Sequence, residues 1–349
     1  MVTFISAINT TRGACPWLKQ PIPCDFGLYT NATNLNESQK LLPNNEVTGH
    51  NIIIMFVATT YAAFSLSLVL LADESFLLYS KTTIHGKAAY QRLIHTGDTL
   101  LHSLSDSQIV VGLALLIVTT FHASCISAYH YNVVCYLMYL SVISHALTFI
   151  NVPEFCSKNW LHGGVRALAI TATFAFTWML FKAREASDRF PIAADSLAIM
   201  PAACFVGNQS TVLRADLFAS GNMSQIVGAT GHGASSSVYS SQFVPLAVGV
   251  ILGLLFLLGD SFKSRSEWLG EDSFVTARRV VVVLRGILTT YLLVLAIIAT
   301  VSLFRLRTGF EIDSWYDRSQ EDTASLSQIV ILTMSTTSLF AIFSVIIGK

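Results

Sequence analysis

Seven stretches of this chain, each about 18 to 25 residues long, are almost wholly apolar, and this pattern limits the fold more than any motif does. A helix rises about 1.5 Å per residue, so runs of this length cover the roughly 30 Å of a bilayer's hydrocarbon. The 349 residues are 53% hydrophobic and only 12% charged, where a soluble domain carries roughly 25%. The runs therefore read as membrane spans and not as core helices, at about residues 50–72, 107–128, 132–150, 165–182, 242–259, 280–304 and 327–347. The fold class is all-α: a polytopic transmembrane helix bundle of about seven spans.

The polar segments give the bundle a direction. Residues 1–48 are irregular, with Pro16, Pro21, Pro23 and Pro43, and form a head preceding the membrane domain of residues 49–349. The head holds glycosylation sequons at Asn9, Asn31 and Asn36, and the long loop 183–241 holds two more at Asn208 and Asn222. With seven spans all five share one compartment, and glycosylation needs lumenal exposure. The N-terminus is therefore expected in the lumen, in the endoplasmic reticulum or another endomembrane. Lys and Arg divide evenly between the two sides, so the positive-inside rule does not choose. The N-terminus lacks the basic and apolar regions of a cleaved signal, so the first span is expected to do the targeting. The stretch from Phe190 to Gly207 is apolar but interrupted by Pro191, Asp195 and Pro201, and reads as a re-entrant or interfacial piece.

Composition and missing motifs remove several function classes. A formal net charge of zero argues against a nucleic-acid partner. The six cysteines are too scattered for a disulfide scaffold. Cys15 and Cys24 alone look like a pair, while Cys125 and Cys135 read as small buried apolar residues. There is no P-loop, no glycine-rich dinucleotide loop, no HExxH, no histidine box and no aspartate-rich magnesium motif.

An ionisable group inside a bilayer costs several kcal/mol unless it faces a bundle interior, so such groups are the first candidates for function. Asp106 and Gln108 open the second span, Glu154 follows the third, Arg166 opens the fourth, Asp260 closes the fifth, and Arg285 lies a turn inside the sixth. In the sequon-based topology all of these lie at the cytosolic end. Ser141, Ser144, His145 and Thr148 recur at helical spacing and make one polar stripe that should face protein or a cavity. Asp106, His145, Glu154 and Arg166 together would line a pocket between spans two, three and four. The structural alternatives are plain. Asp106 follows two serines at an expected helix start and would cap it, and Arg166 and Arg285 would snorkel to headgroups. Tyr129 and Tyr131 read as an interfacial belt closing the second span. Gly249 and Gly253 read as a helix-packing face.

Spans two to four carry a resemblance. Asp106-Ser-Gln108 leading into an apolar helix, then Tyr129-His130, Ser144-His145, Trp160 and Arg166, resembles fungal multi-pass membrane proteins. That group includes the membrane-bound terpene cyclases of meroterpenoid pathways, of the ascofuranone and macrophorin type. The resemblance implies a metal-free, cofactor-free isomerase for secondary-metabolite biosynthesis. An acid protonates an epoxide or alkene of a lipophilic, prenylated aromatic substrate, and a dry cavity guides ring closure. Carried onto this chain, Asp106 is the acid with Glu154 in reserve, and His145, Arg166 and Gln108 bind or orient the substrate. Two other classes share the topology, a seven-span receptor or sensor and a small-molecule transporter. The short tail after the last span argues against the first, and the lack of internal symmetry against the second.

Overall fold

The computed structural model describes residues 49–79, 88–121, 126–152, 160–185, 190–191, 196–205, 242–263 and 271–312. Its helices are α1 (His50–Tyr79), α2 (Ala88–Phe121), α3 (Ala128–Asn151), α4 (Trp160–Glu185), α5 (Val244–Lys263) and α6 (Glu271–Ile312), with short 3-10 turns at Ser196–Ile199 and Ala202–Cys204. Five helices, all but α5, are long and apolar enough to cross a membrane; the described apolar part of α5 is shorter, Val244–Leu255. The expected spans at 50–72, 132–150, 165–182, 242–259 and 280–304 each correspond to one of these helices. The head, its sequons, Cys15 and Cys24, the sequons at Asn208 and Asn222, and the run at 327–347 lie outside the described residues.

Helix α3 is the axis of the bundle. Every one of its 24 residues is buried, and α1, α2, α4, α5 and α6 all pack against it. Neighbours around this ring are α4 with α2, α2 with α1, α1 with α6, and α6 with α5. Direction follows from paired contacts: Ser105 of α2 bonds His145, whereas Gly112, seven residues further along, faces Met138, seven residues earlier on α3. The two helices are therefore antiparallel. One end of the bundle, the Ala128 end, holds the starts of α1 and α3 and the end of α4. The other is the Asn151 end.

The outer faces are apolar as well. Val280, Val283, Leu284, Ile287, Val294, Ile297, Ile298, Val301 and Phe304 are all exposed along α6, a stripe about 36 Å long at 1.5 Å per residue. Leu168 of α4 is 71% exposed and Val110 of α2 is 59% exposed. Apolar surface this extensive is incompatible with water and suited to lipid. Lipid tails are as apolar as leucine, so tight packing and interhelical hydrogen bonds hold such helices together. Glycine supplies the packing. A Cβ at Gly249 would lie 2.9 Å from Leu292 of α6, and one at Gly253 would lie 3.3 Å from Ile150 of α3. The expected small-residue face thus serves two neighbours.

Local chemistry sets the limits of α3. The Ser127 side chain caps its start by accepting from the His130 amide at 3.2 Å. At the other end Val152 is extended, as a residue before proline must be. Tyr129 and Tyr131 belong to the buried first turn of α3, and not to an interfacial belt ending the second span. Their rings fill the core, and the Tyr131 hydroxyl donates to the Leu180 carbonyl at 3.0 Å.

Helix α5 begins part-way down the bundle. The Tyr139 hydroxyl donates to the Gln242 carbonyl at 3.0 Å, and Phe243 packs on Phe174 and Phe181. Tyr139 is eleven residues into α3, about 16 Å below its first turn. The described part of the stretch expected to be re-entrant or interfacial packs above this level. Pro201 bridges to Ser127, the Ala202 amide donates to the Ile126 carbonyl at 2.7 Å, and the Ala128 amide donates to the Met200 carbonyl at 2.8 Å. Phe190 lies against Tyr131 and Phe205. The segment is irregular and buried, with its backbone groups bonded to the start of α3. Cys204, at its end, is disulfide-bonded, so Cys15 and Cys24 are not the only cysteines to consider for pairing. Cys135 is a free, buried thiol, as expected.

Candidate functional site

Helix α2 starts at Ala88, well before the expected start of the second span. Asp106 is therefore mid-helix and caps nothing. The added turns carry His95, Asp98, His102 and Asp106 at intervals of three, four and four residues, which places them on one face of the helix. That face lines a cavity of about 370 Å³ at the Asn151 end, completed by Thr99, Ser103, Val152 and Arg166.

The cavity's polar centre is an ion pair between α2 and α4. Arg166 Nε donates to Asp106 Oδ1 at 2.6 Å, and NH2 donates to Oδ2, a fork-to-fork arrangement. NH1 lies 3.0 Å from His102 Nδ1. A guanidinium only donates, so Nδ1 accepts, and a neutral His102 carries its hydrogen on Nε2. The Arg166 side chain is 12% exposed and that of Asp106 is 44% exposed, so the arginine is held inside and does not snorkel. The open face of the pair is the carboxylate. One helical turn beyond Asp106 and Arg166, Ile109 and Ile170 join Phe149 in a small apolar cluster, which Leu113 and Leu254 link to the main core.

His145 and Gln108 stand on other faces. His145 is 1% exposed, with Nδ1 2.8 Å from the Ser105 hydroxyl and Nε2 3.2 Å from that of Ser141. The polar stripe of α3 thus faces protein. Ser144 donates to Thr60 Oγ1 at 3.1 Å, and Thr148 donates back to the Ser144 carbonyl at 3.0 Å. Gln108 is fully buried and donates from Nε2 to Thr59 Oγ1, while its Oε1 has no partner among the described residues. Neither His145 nor Gln108 lines the cavity. The structure brings Asp106 and Arg166 together, leaves His145 one helix face away, and does not describe Glu154.

The histidines of α2 and Asp98 escaped the sequence reading, although their spacing was visible. A second span over 107–128, opened by Asp106 and Gln108, leaves the polar turns before it outside the helix. Arg285 was placed correctly inside the sixth span, but it does not snorkel either. Its NH1 donates to Glu74 of α1 at 2.9 Å, with the arginine side chain 4% exposed. Among the described residues no three His, Cys, Asp or Glu side chains are placed closely enough to hold a metal ion.

Compared with models of protein families, with curated proteins and with solved structures, the chain finds no match in any of the three. Its function is therefore argued from the geometry of the bundle.

Proposed function

We propose that this chain is a membrane-bound terpene cyclase, an isomerase of prenylated aromatic precursors working at the cavity between α2 and α4. The observation that carries the reading is the two-part character of that site. A carboxylate, a guanidinium and imidazoles line it, and one helical turn further along α2 and α4 the residues Ile109 and Ile170 belong to an apolar cluster, in a bundle with a lipid-suited surface. An amphiphile with an aromatic or oxygenated head and a prenyl tail matches both parts.

The chemistry balances internally. A carboxylic O–H protonates the epoxide oxygen or an alkene carbon, the next double bond attacks the cation, and loss of a proton ends the sequence with no net gain of atoms. Both Asp106 oxygens accept from Arg166, so Asp106 has an O–H to give only once that pair opens. In this reading the substrate's polar end takes over Arg166, which frees Asp106 to carry the proton. Asp98 is a second carboxyl group in the same lining. His145 and Gln108 act through the orientation of α2 and do not touch substrate.

The reading includes seven spans, a lumenal N-terminus and a cytosol-facing cavity. In its favour, the disulfide at Cys204 belongs to the Ala128 end, and disulfides persist in oxidising compartments. In the seven-span topology all five sequons are expected on that side as well. A transporter is the second reading, favoured by the start of α5 part-way down the bundle beneath an irregular segment, the form of a discontinuous helix.

The test feeds an epoxidised farnesyl phenol to microsomes containing the chain and follows cyclised product by mass spectrometry. Turnover by the wild-type chain, with at least roughly hundredfold loss in Asp106→Asn, is the expected result. Unimpaired closure in that variant removes Asp106 from the chemistry. No product from any prenylated arene removes the cyclase reading.

A further inference from the structure

Cys204 is disulfide-bonded and 1% exposed, and chain geometry excludes two of its five possible partners, Cys15, Cys24, Cys125, Cys135 and Cys156. Cys135 is a free thiol within α3. Cys156 lies beyond Asn151 by five residues, which reach at most about 18 Å when fully extended. Cys204 sits at the other end of α3: its amide donates to the Pro201 carbonyl at 2.9 Å, and Pro201 bridges to Ser127, the cap of that helix. The 24 residues between those ends cover about 36 Å. A gap of roughly 18 Å remains, well above the roughly 4.4–6.8 Å between the Cα atoms of bonded cysteines. Cys156 cannot reach.

Backbone pairing favours one of the three that are left. Ser127 and Pro201 face each other in an antiparallel bridge, flanked by the hydrogen bonds from the Ala128 amide to the Met200 carbonyl and from the Ala202 amide to the Ile126 carbonyl. Along an antiparallel pair, a step back on one segment stays beside a step forward on the other. The step back from Ile126 is Cys125, and the steps forward from Ala202 are Ala203 and Cys204. Cys125 is outside the described residues, but a trans peptide fixes its Cα about 3.8 Å from that of Ile126. The 3-10 turn Ala202–Cys204 keeps Cys204 within one turn of the bridge. For Cys15 and Cys24, far earlier in the chain than α1, the sequence imposes no such proximity.

We infer that Cys204 is bonded to Cys125, so that the irregular segment is fastened covalently to the start of α3. The bond closes a loop of about 80 residues that contains α3 and α4, and closing a loop narrows the unfolded ensemble. Cys125 is then not the inert apolar residue that its sequence setting suggests. Its formation balances as thiol–disulfide exchange. The two thiols lose two protons and two electrons, and the disulfide of a thiol oxidoreductase takes them up and leaves as a dithiol. Such a bond persists in an oxidising compartment, and Cys15 and Cys24 are left for each other. The inference does not rest on the cyclase reading.

The experiment dissolves microsomes containing the full chain in denaturing detergent with N-ethylmaleimide, at a mildly acidic pH that suppresses exchange, and digests the protein without reductant. Chymotrypsin suits the purpose, because Tyr129 and Tyr131 separate Cys125 from Cys135. Mass spectrometry should find a pair of peptides that joins Cys125 to Cys204 and comes apart on reduction. In Cys204→Ser, Cys125 should become the one additional thiol that takes the label, and in Cys125→Ser it should be Cys204. The wild-type digest depends on no variant folding, so it decides alone if either variant is degraded. Cys204 joined to Cys15 or Cys24, or Cys204 labelled in the wild-type chain without reduction, overturns the inference, as does Cys125 left unlabelled in Cys204→Ser.

Discussion

Replacing His145 with leucine separates a structural imidazole from a chemical one. The substitution keeps an apolar side chain at a fully enclosed position and removes two hydrogen bonds, to Ser105 at 2.8 Å and Ser141 at 3.2 Å. Side-chain bonds between membrane helices average about 0.6 kcal/mol in mutant cycles, so the Ser105 bond, which joins α2 to α3, contributes roughly that, with the Ser141 bond within α3 adding to it. The upper bound is far higher, because a buried hydroxyl left without a partner costs about 1–3 kcal/mol. Each serine has an escape, however. A helical serine can turn its hydroxyl to the carbonyl four residues back, as Ser75 does to Leu71 at 2.7 Å. The expected loss is therefore about 1–2 kcal/mol. It is measured as the shift in unfolding free energy during SDS titration in mixed micelles, followed by tryptophan fluorescence. The cycle with Ser105→Ala should return a coupling of about 0.6 kcal/mol. Turnover of a prenylated arene should fall no further than the loss of folded protein explains. Abolished turnover at unchanged stability would refute the reasoning, since the imidazole would then be acting on substrate.

Three further outcomes follow from the packing and the topology. Gly253→Val puts branched carbons where a single Cβ already comes within 3.3 Å of Ile150, so it should cost about 1–3 kcal/mol in the same titration, and Gly253→Ala distinctly less. Glu74→Gln removes the carboxylate that Arg285 bonds at 2.9 Å and should cost about 3 kcal/mol, while Glu74→Leu with Arg285→Met should recover most of it; a double variant as weak as the sum of its parts would show that the two side chains act independently. Endoglycosidase should increase the gel mobility of the chain expressed in microsomes, and unchanged mobility would remove the main support for a lumenal N-terminus.

The apolar runs located the helices because hydrocarbon thickness imposes one length on all of them. They could not show which helix is central. A face turned to lipid and a face turned to another helix are equally apolar, so hydropathy alone does not separate α3 from the ring around it. The polar stripe through His145 was the one legible sign, since such groups must face protein. The start of α2 was missed for the converse reason. Its first turns carry His95, Asp98 and His102, which line a cavity, and polar turns of this kind fall outside a span defined by a continuous apolar run. The partners of Arg166 and Arg285 lie 60 and 211 residues away in the chain. No local pattern predicts such pairs, so snorkelling looked sufficient for both until the helices were placed side by side.

The enclosure of α3 has a consequence for the order in which the bundle assembles. It leaves the ribosome after α1 and α2 and before the helices that cover its remaining faces. Its stripe is matched to what is already in the membrane: Ser144 to Thr60 of α1, and His145 to Ser105 of α2. Asn132 and Asn151 look forward instead, to Arg184 of α4 and Thr289 of α6. The first three helices can thus form a hydrogen-bonded hairpin-and-a-half while synthesis continues, with Asn132 and Asn151 near the two ends, where water can serve them in the meantime, and the Tyr139 hydroxyl, mid-helix, left to wait for α5.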